Sequence, residues 1–190
     1  MAHISRSETW GTNMIHIGFT GTQAGMSLKQ KESFRFRVWK FYQDEMHACS
    51  VVGARNMTFH HGDCIGADEN AHRIIENSSD LESICSEIVL HIPRVDLKRA
   101  FMDRDRRLDS KIKITVRDPL DYLVRNKVIV DESEVLFACP YTPNQEVRSG
   151  TWSTVRYARK KGKTVMLIKP DGSVKKLESG RWIKPQRSLF

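Results

Sequence analysis

Short apolar runs of strand length alternate along the chain with stretches of helical periodicity, the pattern of a parallel α/β sheet. The first run, Met14–Thr20 (MIHIGFT), ends at Gly21. Ser27 then stands as an N-cap with Gln30 at the capping-box position. Leu28, Phe34, Val38 and Phe41 fall near one face of a helix that should reach about Cys49. Met57–His61 (MTFHH) predicts a second strand, Gly62–Gly66 a turn, and Ala71, Ile74 and Ile75 the inner face of the next helix. Glu87–Ile92 (EIVLHI) predicts a third strand, stopped by Pro93.

The second half repeats the alternation. The highly charged stretch Arg94–Arg117 reads as a short helix followed by a short strand at Ile112–Val116. Leu120–Asp131 has helical spacing, with Leu120, Leu123, Val124 and Val128 as its inward positions. Val135–Cys139 (VLFAC) predicts a buried strand ended by Pro140, and Thr151–Lys161 a helix with Val155 and Ala158 inward. Thr164–Ile168 (TVMLI) predicts a last core strand, and the Asp171-Gly172 turn dipeptide a terminal hairpin. The fold class is therefore α/β: a Rossmann-like open parallel sheet of about five strands flanked by helices, with a short C-terminal hairpin and tail. Residues 1–13 read as an N-terminal arm or tag, 14–170 as one domain, and 171–190 as a basic hairpin and tail that Trp182 and Phe190 would fold back.

Composition narrows the function classes. The 190 residues include 31 Lys+Arg and 23 Asp+Glu, a formal charge of +8. From Arg148 onward 12 bases face only Asp171 and Glu178, so the whole excess sits in the last 43 residues. Such a region points to an anionic partner, and nucleic acid is one candidate, through Lys160, Lys161, Lys175, Lys176, Arg181 and Lys184. No apolar run approaches the ~20 residues that span a bilayer, so no membrane partner is expected. The opening segment has no apolar core, so it does not read as a signal peptide. Cys49, Cys64, Cys85 and Cys139 are scattered without a CxxC pair and read as buried free thiols of a reducing, cytoplasmic compartment.

Three loops follow the carboxyl ends of expected strands, where open α/β sheets bind ligands. The first, Gly18-Phe-Thr-Gly-Thr-Gln-Ala-Gly25, offers small residues and hydroxyls to a phosphate, at Gly18, Thr20, Gly21 and Thr22. In the second, Gly62 and Gly66 bracket a tight turn, and Asp63 and Asp68 are placed to accept hydrogen bonds from a ribose or a water; capping of the helix is their other reading. The third, Tyr141–Thr151, is long for a strand–helix connection, and its Ser149-Gly150-Thr151 end is a second phosphate cradle with Arg148 beside it. Arg125-Asn126, in the preceding helix, would by itself read as solvated surface.

Other clusters have plainer readings. Ser33–Tyr42 interleaves aromatics with bases, and at helical spacing it separates into an apolar inner face and a basic outer one. Met102–Arg107 mixes signs and reads as a solvated face or mobile flap. His60, His61, Asp63, Cys64 and His72 crowd together, yet adjacent strand residues point to opposite faces, so His60 and His61 do not share one ion. No metal and no cofactor are expected.

In order and spacing these elements resemble the SLOG superfamily of Rossmann-like nucleotide-binding proteins. That group includes the LOG phosphoribohydrolases, the DNA-processing protein DprA and small YspA-like members of bacteria and phages. The resemblance runs from about Ile15 to Ile168 through Gly18-Phe-Thr-Gly21, His61-Gly-Asp-Cys-Ile-Gly-Ala-Asp68, Arg125-Asn126, Val135–Pro140 and Ser149–Ala158, and is nearest to the YspA-like branch. It implies a nucleotide-derived ligand, such as a nucleoside phosphate, ADP-ribose or a cyclic relative, with phosphate at Gly150-Thr151 and ribose or base near Asp63, Asp68, Arg125 and Asn126. It also implies a homodimer or higher homo-oligomer, and either a sensing or sequestering role, such as one in nucleotide-signalling defence, or hydrolysis of an N-glycosidic bond. The LOG motif PGGxGTxxE is altered here: Cys139-Pro140-Tyr141-Thr142 lacks the two glycines, and Ser153-Thr154 stand where its Glu belongs. A replacement carboxylate would come from Glu146, Asp63 or Asp68, polarising a water toward C1′. The alternative from the same superfamily is a DprA-type single-stranded nucleic-acid binder.

Overall fold

The computed structural model describes residues 14–48, 56–105, 107 and 109–183; the expected arm over 1–13, Cys49, Lys184 and Phe190 lie outside them. The first strand, β1 (Met14–Gly21), leads into α1 (Leu28–Ala48), and β2 (Asn56–His61) into α2 (Ala67–Asn77) and the single turn α3 (Ser79–Glu82). Then come β3 (Cys85–Leu90), β4 (Lys113–Val116), α4 (Tyr122–Asp131), β5 (Val135–Cys139), α5 (Gly150–Lys160), β6 (Thr164–Ile168), β7 (Val174–Glu178) and β8 (Arg181–Trp182).

These strands form one sheet in the order β4-β3-β2-β1-β5-β6-β7-β8. β1 to β6 pair in parallel, and β7 and β8 continue the sheet antiparallel. The described sheet thus holds eight strands rather than about five, because β4 adds a parallel edge and the C-terminal hairpin joins the opposite edge. The expected short helix before β4 is only a 3-10 turn, Asp96–Lys98. Nor is the segment after it a loose flap: Met102 is buried, and its amide donates 2.9 Å to Asp63 Oδ1.

Period-two patterning decides what packs where. Ile15, Ile17 and Phe19 of β1, Met57 and Phe59 of β2, and Val135 and Phe137 of β5 point to one face, where α1, α2 and α3 cover them. The intervening Leu136 and Ala138, with Val165 and Leu167 of β6, point to the other, where Ile129 and Val130 of α4 and Trp152, Val155 and Ala158 of α5 cover them. The expected capping box starts α1: Gln30 N donates to Ser27 Oγ and Ser27 N to Gln30 Oε1, both at 3.0 Å. Its inner face is Phe34, Val38 and Tyr42, and Phe36 and Trp39 stand outside with the bases.

Helix α4 differs from its apolar spacing. Its buried positions are Arg125, Asn126, Ile129 and Val130, whereas Leu123 and Val124 are exposed. The helix is rotated so that its first turn faces the polar loop after β2 rather than an apolar surface.

Phe34 sits at the centre of the larger core, with ring centroids 5.2 Å from Phe19, 6.1 Å from Phe59 and 5.8 Å from Phe137. Phe34→Ala should destabilise the protein by about 3–5 kcal/mol, measured as a lowered midpoint of urea unfolding with an unchanged slope.

Candidate functional site

Strand order reverses at β1, whose neighbours β2 and β5 lead to helices on opposite faces. The loops leaving β1 and β5 therefore splay apart and open a crevice at the strands' carboxyl ends. A cavity of about 580 Å³ occupies it. Gly21, Thr22 and Gln23 form its floor, and Arg148, Ser149, Gly150 and Thr151 one wall. Pro93, Arg94, Val95, Leu97 and Lys98 form the opposite wall, and Cys64, Asp121 and Tyr122 close the back.

Local chemistry builds each wall. Ser149 caps α5, its Oγ accepting from Trp152 N at 3.3 Å. Helix geometry leaves the Gly150 and Thr151 amides without an acceptor inside α5, and the helix dipole adds positive potential there. A Cβ on Gly150 would stand 3.1 Å from the Tyr122 ring, so glycine lets the ring close against the helix start. The floor is tied to the next loop: Ala67 N donates to Thr22 O at 2.9 Å. Gly66 makes this approach possible, with φ +98° and no room for a Cβ, which would lie 2.3 Å from Gln23 O.

Behind the back wall lies a buried guanidinium. Arg125 Nη2 donates to Cys64 Sγ at 3.1 Å, Nη1 stands 3.8 Å from Asp68 Oδ2, and the guanidinium lies 4.8 Å from the Tyr122 ring centroid. A Cβ on Gly62 would sit 1.1 Å from Arg125 Nη1, so this glycine is the space the guanidinium fills. Asp68 Oδ2 accepts from Gly62 N at 3.0 Å and Cys64 N at 3.2 Å. Burial pushes the Asp68 carboxyl up to about 6 against the pull of Arg125. Burial, then Asp68, pushes the Cys64 thiol to about 11 and keeps it protonated.

The residues singled out from the sequence divide into two groups. Gly21, Thr22, Arg148, Ser149, Gly150 and Thr151 line the cavity together. Gly62, Gly66, Asp68 and Arg125 stand one layer behind, shaping it. Gly18 and Thr20 lie within β1, and Gly18 leaves space for Ser133, whose Oγ would be 2.5 Å from a Cβ there. Asn126 Nδ2 donates 3.0 Å to Thr154 Oγ1 and so joins α4 to α5. Asp63, at φ 51°, holds Arg99 Nε at 2.6 Å and the Met102 amide. Glu146 is exposed and outside the lining. Lys160, Lys161, Lys175, Lys176 and Arg181 are exposed at the end of α5 and on the antiparallel edge, with Lys161 paired to Asp131 at 3.2 Å.

Sequence reasoning missed the wall from Pro93 to Lys98, with Asp121 and Tyr122, because a charged stretch gives no periodicity to place it. It also missed a histidine row on the α4 side of the sheet. His60 and His61 do point to opposite faces, His61 toward His72 at 2.9 Å and His60 between His16 and His91. Burial, followed by the neighbouring imidazoles and Arg117, lowers His60 to about 2, and burial with Arg117 and Arg125 lowers His91 to about 3. Both rings are therefore neutral, and their approach to Glu132 is not an ion pair.

Two outcomes are expected. Gly62→Ala should cost stability in the native protein and less in an Arg125→Ala background, a coupling of about 0.5–3 kcal/mol in a double-mutant cycle. The Asp68 carboxyl, ordinarily at 3.8, keeps its proton in the fold to about pH 6. Between those values the folded state binds more protons than the unfolded one, so this group's contribution falls as pH rises. Asp68→Asn should flatten the fall in unfolding free energy from about pH 4 to pH 6 relative to the native protein, read by denaturant titration at each pH.

No protein-family model matches the chain, and no curated protein matches it in sequence. Among solved structures it is similar to the molybdenum cofactor binding protein of the phototrophic bacterium Rippkaea orientalis, with TM-score 0.53 and 16% identity over 84% of this chain and 78% of that one. It also aligns with the structural-genomics target TM1055 over 80% of this chain and 72% of that one, at TM-score 0.46 and 13% identity, below the level at which a shared fold follows. The chain has a Rossmann-like α/β fold, shared with the Rippkaea protein.

Proposed function

We propose that this protein binds a phosphate-bearing, nucleotide-derived small molecule in the crevice between β1 and β5, as a SLOG-type sensor or sequestering protein. The observation that carries this reading is the make-up of the cavity. Among the described residues three cations, Arg94, Lys98 and Arg148, line it with the start of α5, against one carboxylate, Asp121, which pairs with Arg94 at 3.6 Å. An anionic group is favoured at such a helix N-terminus. Val95, Leu97 and Tyr122 supply apolar and aromatic surface for a planar ring, and a volume of about 580 Å³ falls within the range of small-molecule sites.

The same geometry favours binding over hydrolysis. Asp63 and Asp68 have their carboxylates engaged in holding loops, and Glu146 stands outside the lining. None of the three expected carboxylates is thus offered to a water inside the cavity. The name of the Rippkaea protein assigns it a cofactor; the ligand class proposed here rests on this cavity alone.

A panel of nucleoside mono- and diphosphates, ADP-ribose and cyclic nucleotides at millimolar concentration should raise the melting temperature for at least one member. Arg148→Ala, at an exposed position, should weaken that member's binding about tenfold without lowering the melting temperature of the free protein. Chromatography after overnight incubation should return the ligand intact. A panel without any stabilising member overturns the binding reading, and released base or ribose phosphate overturns the non-hydrolytic one.

A further inference from the structure

The α4 side of β1, β2 and β3 carries polar residues that the crevice does not use. His16 of β1, His60 of β2 and His91, the residue after β3, run diagonally across the three strands. His16 Nδ1 lies 2.9 Å from His60 Nε2, and His60 Nδ1 lies 3.0 Å from His91 Nε2. Glu132, capping the C-terminal end of α4, brings Oε2 to 3.6 Å from His60 Nδ1 and 3.8 Å from His91 Nε2. None of the four residues lines the crevice.

Central parallel strands buried on both faces are ordinarily filled with Val, Ile and Leu. Hydrogen-bonded core histidines would be the plainest explanation of the row, and it covers the two imidazole contacts. It leaves two things over. His91 Nδ1 is buried with no hydrogen-bond partner among the described residues. The Glu132 carboxylate, although bonded to Arg117 at 3.3 Å, also turns the same oxygen toward both rings at distances beyond hydrogen-bond reach.

A metal ion would account for the convergence of these three donor atoms. The triangle made by His60 Nδ1, His91 Nε2 and Glu132 Oε2 has a point equidistant from its corners at about 2.0 Å, the length of a zinc–imidazole or zinc–carboxylate bond. These are one donor atom each from three separate elements, and all lie within 4.8 Å of one another. We propose that His60, His91 and Glu132 form a binding site for one divalent transition-metal ion, with zinc as the ion their donors suit. Two imidazoles and a carboxylate select such ions over magnesium or calcium, which take oxygen ligands.

Two of the three ligands, His60 and Glu132, have the outer contacts a ligand set needs. With Nδ1 on the ion, His60 donates its Nε2 proton to His16 Nδ1, which fixes the ring. Arg117 Nη2, 3.3 Å from Glu132 Oε2, holds the carboxylate. In the free site the His91 Nε2 proton bridges to His60 Nδ1; when the ion takes Nε2 that proton moves to His91 Nδ1, so both rings ligate as neutral imidazoles and no net proton is lost. Three protein ligands leave a fourth position to water. Occupied, the site pins the end of α4 to β2 and β3, apart from the crevice.

The full-length chain, stripped with chelator and checked by circular dichroism, is titrated with Zn²⁺ by calorimetry and with Co²⁺ by visible absorption. One ion per chain is expected, with a four- or five-coordinate cobalt spectrum and a raised melting temperature. Glu132→Gln, at a partly exposed helix end, and His91→Gln should each weaken binding by more than about tenfold, since even outer contacts to a ligand are worth that much. His47→Gln, at the exposed end of α1, should change nothing. A stripped chain that unfolds and refolds with Zn²⁺ but not Mg²⁺ also supports the site. Absence of stoichiometric binding by the native chain, or equal binding by the Glu132 and His91 variants, overturns it.

Discussion

A guanidinium buried in the loop after β2 is the constraint around which the crevice is arranged. Arg125 is 2% exposed, and a buried charge is tolerated only where it is paired and hydrogen-bonded. The loop meets that demand by what it contains and by what it omits. Asp68 supplies the countercharge, Cys64 a soft acceptor and Tyr122 a ring face, and Gly62 supplies room where any side chain would collide. Because Asp68 also gathers two loop amides, the same carboxylate shapes the turn and balances the cation. Cys64 and Tyr122 then turn their other sides to the cavity. The position of the back wall thus follows from the position of one arginine.

The two faces of the sheet solve different problems. Toward α1 and α2 the strands present an apolar set broken by His61, which meets His72 of α2, and a four-phenylalanine cluster fills its centre. On the opposite side β5, β6 and β7 are apolar, whereas β1 to β3 and the residue after β3 present mainly His16, Gly18, Thr58, His60 and His91, with Val89 among them. Helix α4 lies across this change of character. Its C-terminal half contributes Ile129 and Val130 to the apolar part, and its first turn and its C-cap contribute Arg125 and Glu132 to the polar part. A helix with that double task has no clean amphipathic stripe.

That is also why the fold was more legible in the sequence than the site. Alternation of strand runs with capped helices gave the layer order, since period and caps are local properties of Ser27, Gln30, Gly66 and their neighbours. The two phosphate-cradle loops were legible for the same reason: Gly21-Thr22 stands at the end of a strand and Ser149-Gly150-Thr151 at the capped start of a helix. What escaped depends on register and long-range contact. The spacing of Leu123 and Val124 pointed to the wrong face of α4, because a charge pair with Asp68, 57 positions earlier in the chain, sets its rotation. His16, His60 and His91 come together only through the pairing of Gly18 with His60 and of His60 with Val89. The Pro93–Lys98 wall is held by backbone bonds such as Ile65 N to Lys98 O, which leave no trace in composition.

Charge makes the same distinction between chain order and space. Along the sequence the basic excess starts at Arg148, which suggested that the C-terminal third supplies the anionic site. In the fold, two of the three cavity cations, Arg94 and Lys98, come from the part of the chain without any excess. The lysines of β7 lie three strands from β1, about 14 Å at ~4.8 Å per strand, beyond a Debye length of ~8 Å at physiological salt. They contribute little to the potential in the crevice, and Lys176 is in any case paired with Glu178. The field that a phosphate would meet is made chiefly by Lys98 and Arg148, with Arg94 offset by its pairing to Asp121, and by one helix start, brought together from the Pro93–Lys98 wall and the start of α5. Net charge therefore carries little information about this site, and removal of the hairpin's lysines would leave its electrostatics nearly unchanged.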